Sequence, residues 1–275
     1  MKNRIQIARE TLDIIEANEY IVSDKRIVLS NNSQSLCDVV VISPKKVEEA
    51  LTKLDKNQLE SLGEIQVDMF DSLTSAKQNG VGKVLVLNFA NGFRPGGGFL
   101  NGAIAQEEAI CRCSSLYASI SSESASEMYA YNKAHVTPEG SDYMLLSPSV
   151  VVFRDSECNL LEEPYEISVI TSAAPNLYHE AYSLKDEVLD EIMRHKIKNI
   201  IAVAAQYSYD TLILGAWGCG AFGHDASRIA NCFYDVLVKD GNKRIFKKIV
   251  FSILARSEND YNYSKFHERF VESRK

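Results

Sequence analysis

Apolar and polar positions repeat with two different periods along this chain, and the two periods separate strands from helices. The segments "GKVLVLNFA" (82–90), "SVVVF" (149–153), "YEISVITSAA" (165–174), "DTLILGA" (210–216) and "KKIVFSIL" (247–254) are short apolar runs, the pattern of strands buried on both faces. "EIQVDMF" (64–70) alternates instead, as a half-buried strand does. Helical stretches lie between them. Asp71–Gln78 reads as a helix closed by Asn79-Gly80. "AIAQEEAICRCSSLYASI" (103–120) reads as one helix with Ile104, Ala109, Ile110, Leu116 and Tyr117 as its core face. "KIKNIIAVAAQYS" (196–208) and "ASRIANCFYDVLV" (226–238) complete the series, and the charged, aromatic tail reads as an exposed terminal helix. Strands alternating with helices predict an α/β fold with a mixed central sheet covered on both faces.

The first sixty residues follow another pattern. Residues 4–19 form an amphipathic helix with Ile5, Leu12, Ile15 and Tyr20 apolar. Short strands are expected at Lys25–Ser30 and Val39–Ile42, separated by Asn31, Asn32 and Ser33, with a charged helix over Pro44–Ser61. No Pro/Gly/Ser-rich linker follows. Residues 1–63 are therefore expected to be a helical, hairpin-bearing extension packed on a core of residues 64–275, the whole forming one structural unit.

Composition narrows the partners. A net charge of -7 argues against a broad basic surface and hence against DNA as a ligand. It leaves room for a phosphate-bearing ligand, because backbone N–H groups and helix N-termini hold anions locally. No apolar run has membrane-spanning length, and the N-terminal stretch lacks the apolar core of a signal peptide. The six cysteines, at 37, 111, 113, 158, 219 and 232, form no CxxC pair, and the histidines are not spaced for zinc. Free thiols, a cytoplasmic location, a monomer, and neither metal nor cofactor are the expectation.

Candidate chemistry sits in two glycine-rich loops. Each follows an apolar strand and precedes a helix, the position at which open α/β sheets bind ligands. The second, "GAWGCGAFG" (215–223), lacks the Lys-Ser/Thr of a Walker loop and the order of a dinucleotide fingerprint. Its amides at Gly218, Cys219, Gly220, Ala221 and Phe222 can still cradle a diphosphate. Cys219 has only His224 nearby as a partner and reads as packing rather than as a nucleophile. Trp217 reads as packing beneath the loop, and Phe251, Tyr207 and Tyr209 are candidates to stack on a base. The first loop runs through Gly96, Gly97 and Gly98 to Glu107 and Glu108 at the start of a helix. Compensation of the helix dipole explains these acids as well as catalysis does. Adjacent residues point about 100° apart on a helix, so only one is expected to face squarely into a cleft.

"GGGFLNGAIAQEE" (96–108) matches the GGG-x(6–8)-QEE signature of poly(ADP-ribose) glycohydrolases, with seven residues between Gly98 and Gln106. "NFANGFRPGGGFLNGAI" resembles the asparagine–glycine motif of macrodomains, the fold those hydrolases elaborate. "LILGAWGCGAFGHD" resembles the diphosphate loop of the bacterial-type enzymes, and the N-terminal "RIQIARETLDIIEANEY" resembles the lead-in of the microbial subfamily. The resemblance implies a macrodomain-like three-layer αβα fold. It implies hydrolysis of the ribose–ribose O-glycosidic bond of poly(ADP-ribose), or of ADP-ribosylated proteins, with release of ADP-ribose from chain ends.

By the same resemblance Glu108 is the catalytic acid/base, and Glu107 binds hydroxyls of the ribose being cleaved off. Gln106 fixes the loop, Asn91 contacts that ribose, and Gly96–Gly98 let backbone approach the sugar and diphosphate. Gly218–Phe222 wrap the diphosphate, with Phe222 against the ribose. One carboxyl serving first as acid and then as base needs a raised pKa. Burial and a charged neighbour push upward while the helix N-terminus opposes them. Two other readings share the glycines and Asn91: a macrodomain that binds ADP-ribose without cleaving it, and a hydrolase of another ADP-ribosyl bond. The QEE triplet separates the first of these from the enzyme.

Overall fold

The apolar runs pair into one mixed sheet in the computed structural model, which describes residues 3–54 and 63–272. Its elements in chain order are α1 (Arg4–Ala17), β1 (Glu19–Val22), β2 (Lys25–Val28), β3 (Val40–Ile42), α2 (Pro44–Leu54), β4 (Glu64–Asp68), α3 (Ser72–Asn79), β5 (Val84–Phe89), α4 (Gln106–Cys113), α5 (Leu116–Ile120), α6 (Ser126–Ala134), β6 (Met144–Arg154), β7 (Leu160–Ser172), α7 (Asp186–Gln206), β8 (Thr211–Leu214), α8 (Ala226–Tyr234), β9 (Lys248–Ser252) and α9 (Tyr261–Phe270). Among the described residues the large sheet runs β3-β6-β7-β5-β8-β9-β4. The pairs β3–β6 and β6–β7 are antiparallel, and β7–β5, β5–β8, β8–β9 and β9–β4 are parallel.

Strand alternation divides the core between two helical layers. Leu85 and Leu87 of β5 and Leu212 and Leu214 of β8 pack with α2, α7, α8 and α9. Val86 and Ile213, one residue out of phase, face the opposite layer of α1, α3, α4, α5 and α6. This is the three-layer αβα arrangement with a mixed sheet that the residue pattern and the resemblance imply. A run apolar at every position is needed because neither face of the central strands meets water.

Several boundaries move. The hairpin lies between β1 and β2, not between residues 25–30 and 39–42; β3 instead joins the large sheet beside β6. Thus β3 and α2, both before residue 64, are built into the central layers. Helix α1 buries Ile7, Ala8 and Thr11 fully, while Leu12 and Ile15, two of the expected apolar positions, are partly buried against neighbouring core clusters. The expected helix over residues 44–61 is present to Leu54, and residues 55–61 lie outside the described part.

The expected helix over 103–120 is two helices. Ser114 bridges to Val152, the Ser115 N–H donates to the Val151 carbonyl at 2.9 Å, and the Val151 N–H donates to Ser115 Oγ at 3.0 Å. The chain leaves the helix there to dock on β6. The terminal helix α9 is not simply exposed: Tyr263, Phe266 and Phe270 are buried, with Phe266 against Phe251 and Phe233 and Phe270 against Phe251.

Candidate active site

A cleft of about 640 Å³ opens at the carboxyl ends of β5, β8, β9 and β4, where the two glycine loops meet. Asn91, Gly97 and Gly98 of the first loop line it, followed by Gln106, Glu107 and Glu108 at the start of α4. The second loop contributes Gly218, Gly220, Ala221 and Phe222. Gly96 and Cys219 do not line it. Gly96 is packed under the Tyr117 ring, and burial pushes the Cys219 thiol well up, away from a nucleophilic thiolate.

The cleft floor begins with Gln106. Strand β8 pairs with β5 only as far as Val86, which leaves the next backbone groups of β5 without a strand partner on that edge. The Gln106 side chain takes the place of one. The Phe89 N–H donates to Gln106 Oε1 at 2.9 Å, and Gln106 Nε2 donates to the Leu87 carbonyl at 2.7 Å and to Ser72 Oγ at 3.1 Å. Gln106 thereby ties the start of α4 to the sheet and to α3, and fixes where the next two residues point.

Both of those residues reach the cleft. Glu107 is 2% exposed and Glu108 7%, and neither faces out as their 100° separation would suggest. Glu107 Oε2 accepts from the Asn91 N–H at 2.8 Å, and Oε1 accepts from Asn88 Nδ2 at 3.2 Å. Burial nonetheless pushes its pKa up to about 8, those hydrogen bonds opposing and the neighbouring Glu108 charge adding a smaller push. Glu108 Oε1 accepts from the Gly98 N–H at 2.8 Å. Its Oε2 is buried with no hydrogen-bond partner among the described residues.

Gly97 explains how the loop passes both acids. Its φ is +54°, and a Cβ there would stand 2.5 Å from Glu108 Oε1 and 3.1 Å from Glu107 Oε2. Asn91 turns the same loop by accepting from the N–H groups of Phe93 and Arg94 through Oδ1.

In the second loop His224 is a pin rather than a base. It is buried, its Nε2 donates to the Pro175 carbonyl at 2.7 Å, and burial holds its pKa below the usual range. Gly218, at φ +82°, is required because a Cβ would stand 2.6 Å from the His224 ring. Gly220 differs: a Cβ there would meet nothing within 4 Å. Trp217 is wholly buried and packs beneath the loop.

The candidate base-stacking aromatics are not at the site. Phe251 is enclosed by Phe233, Phe266 and Phe270, and Tyr209 lies under the Lys83 ammonium; neither they nor Tyr207 line the cleft. Sequence reasoning passed over Asp71 and Ser72 after β4, Ser252–Leu254 after β9, Phe89, and Asn262, all of which do. For all but Asn262, in the first turn of α9, the signal was position alone, at or just beyond the carboxyl end of a strand. Ile104, expected in the core face of a helix, is 69% exposed at the cleft edge, because α4 begins two residues later.

Residues 8–155, more than half of the chain, match the family described as microbial-type PARG, catalytic domain. A comparison with curated proteins gives no match. Among solved structures, poly(ADP-ribose) glycohydrolase from Thermomonospora curvata superposes with a TM-score of 0.91 at 33% identity, covering 97% of this chain and 99% of that one. The same enzyme bound to the inhibitor ADP-HPD superposes with a TM-score of 0.87 at 32% identity and the same coverage. The Deinococcus radiodurans glycohydrolase in complex with ADP-ribose, in its P21 form, superposes with a TM-score of 0.81 at 29% identity, covering 90% of this chain and 99% of that one. With its QEE triplet seated at the carboxyl end of β5 and these likenesses across the fold, the chain belongs to the microbial-type poly(ADP-ribose) glycohydrolases and is an enzyme that hydrolyses poly(ADP-ribose).

Proposed function

We propose that Glu108 is the single acid/base group of this hydrolysis, and that Glu107 and Asn91 hold the ribose being cleaved off. The observation that carries the assignment is the asymmetry of the Glu108 carboxyl. Oε1 is held by the Gly98 N–H, and Oε2 has no partner while the carboxyl lines the cleft. A fixed carboxyl with one uncommitted oxygen can give its proton to the leaving ribose oxygen as the glycosidic bond breaks. It then accepts a proton from the water that attacks the oxocarbenium-like carbon. The division of labour between two carboxylates on opposite sides of a sugar does not suit adjacent residues of one helix.

Glu107 has a different task. Near neutral pH its raised pKa keeps it largely protonated, so it can exchange hydrogen bonds with sugar hydroxyls. Gln106 fixes the pair, and Gly96–Gly98 carry the loop around them. Gly218, Cys219, Gly220, Ala221 and Phe222 carry the diphosphate on their backbone, with Phe222 against the ribose. The open space at Gly220 supports this, since a ligand can approach its backbone closely.

The cleft volume of about 640 Å³ suits one ligand unit and supports trimming of ADP-ribose from chain ends. In this reading the enzyme is a cytoplasmic monomer acting on poly(ADP-ribose) or ADP-ribosylated proteins and not on DNA. The net charge of -7 supports the last point. The N-terminal segment and the core act as one structural unit.

The test is Glu108→Gln. It should retain ADP-ribose binding in calorimetry and lose hydrolysis of automodified poly(ADP-ribose) polymerase by at least about a hundredfold. Substantial turnover by the variant overturns the assignment. Sizing the products of the unaltered enzyme distinguishes free ADP-ribose, expected from end-trimming, from oligomers.

A further inference from the structure

Helix α4 carries the two acids at its start and Cys113 at its end, and Cys113 does not stand alone. Its Sγ is 4.0 Å from Sγ of Cys158, in the tight turn between β6 and β7. Both residues line the cleft, together with Arg112 and Ser156. The turn that holds Cys158 is braced. Asp155 Oδ1 accepts from the N–H groups of Glu157 and Asn159, the Cys158 N–H donates to the Asp155 carbonyl, and Arg154 Nη1 donates to the Cys158 carbonyl. Cys158 itself sits at φ +67°, a left-handed conformation that is uncommon for a residue with a side chain. Strain of this kind collects where a side chain must be held in a particular place.

The two sulfurs have different surroundings. Cys113 is buried, with its Sγ 3.2 Å from the Asp155 carbonyl and 4.0 Å from Cys158 Sγ, so its single proton is shared between the two. Its pKa is pushed well above the usual range, first by its hydrogen bond to Cys158 and then by burial. Cys158 is half-buried, and its pKa is brought down to about 6 by the hydrogen bond from Cys113 and by the guanidinium groups of Arg112 and Arg154. A partly accessible thiolate beside a protonated thiol is the arrangement of an attacking and a resolving cysteine. Cys111 and Cys232 are buried, and burial pushes their thiols up.

We propose that Cys113 and Cys158 form a peroxide-reactive dithiol whose closure to a disulfide reversibly slows hydrolysis. The Cys158 thiolate attacks one oxygen of a hydroperoxide, here hydrogen peroxide. The O–O bond breaks, sulfur becomes a sulfenic acid, and the departing hydroxide takes a proton to become water. The Cys113 sulfur, losing its proton, then attacks the Cys158 sulfur; the S–O bond breaks and the hydroxyl leaves with that proton as water. In sum, two thiols and one peroxide give one disulfide and two waters. The sulfurs must approach from 4.0 Å to about 2.05 Å.

The site is coupled to Glu108 through Arg112. This buried guanidinium lies against Cys158 and donates to the Ala103 carbonyl. The Ala103 N–H donates to the Gly98 carbonyl, and the Gly98 N–H holds Glu108 Oε1. A neutral disulfide removes the anion facing Arg112 and draws the 155–159 turn toward the end of α4. The inference goes beyond the residue roles proposed above, and its first readout is a covalent bond that does not depend on them.

The full chain is treated with hydrogen peroxide, alkylated with N-ethylmaleimide, digested, and mapped by mass spectrometry. The expected result is a Cys113–Cys158 linked peptide and hydrolysis slowed about fivefold or more, both reversed by dithiothreitol. Cys158→Ser should form no link and show no peroxide-induced slowing relative to its own untreated rate. Cys113→Ser should accumulate a dimedone-reactive sulfenic acid on Cys158, which keeps the idea testable if the other variant folds poorly. Absence of the linked peptide overturns the proposal, and so does a linked enzyme that hydrolyses at the reduced rate's full value.

Discussion

A Cβ on Gly97 would stand 2.5 Å from the Glu108 carboxyl and 3.1 Å from that of Glu107, so this glycine makes room for the acids before it serves any ligand. Gly96 is required by the Tyr117 ring, and Gly98 by the methyl of Ala103. The sequence reading assigned all three to close approach of a sugar diphosphate. Glycine content shows that something comes close, and only the fold shows what. At Gly220 nothing of the protein does, which makes it the informative position. Gly220→Val should leave the protein folded and weaken ADP-ribose binding about tenfold, near 1.4 kcal/mol, in calorimetry.

The same scale carries a pH effect. Glu107 has a folded pKa of about 8, above its ordinary 4.5, so the folded chain keeps a proton that the unfolded chain has released. Stability from this group is complete below 4.5 and is lost as pH rises toward about 8. Urea unfolding should therefore show stability falling over that window, and Glu107→Gln should flatten the slope.

At the scale of elements, α4 works because it is short. Gln106 clamps its first turn to β5, and Ser114 and Ser115 dock its end on β6, so the carboxyls are held from both sides. A continuous helix through residue 120, as periodicity suggests, would lose the second anchor. Periodicity cannot report such a break, because Ser is tolerated in a helix until a strand offers its backbone a better partner. Helix α9 errs the other way: its charged residues suggested exposure, while Phe266 and Phe270 close the aromatic cluster over β9. Phe266→Ala should lower unfolding stability by about 3–5 kcal/mol in chemical denaturation, as loss of a buried aromatic does.

At the scale of the molecule, α1 supports the site from behind. Thr11 Oγ1 donates to the Arg112 carbonyl at 2.8 Å, Ala8 is buried in the layer that holds α4, and Ile5 abuts Gly102. Deleting residues 1–18 should leave the sheet formed, by circular dichroism, and lower kcat/KM for poly(ADP-ribose) about tenfold to a hundredfold through a displaced α4. An extension that merely covers the core would have little effect on turnover at intact secondary structure.

Local pattern alone determined the α/β class, the position of most strands, and two glycine loops at strand ends with an acidic pair beside one of them. These follow from side-chain periodicity and backbone permissiveness, which each short segment carries within itself. The ordered GGG and QEE spacing added the family. Tertiary structure decided what depends on residues far apart in the chain. It paired β3 with β6 rather than with β2, split the helix after Cys113, and moved the expected base-stacking aromatics out of the cleft. It also turned both glutamates inward and gave them different partners, Asn91 and Asn88 for one and Gly98 for the other. Burial and hydrogen bonding are properties of the surroundings, and those surroundings are assembled only when the sheet brings them together.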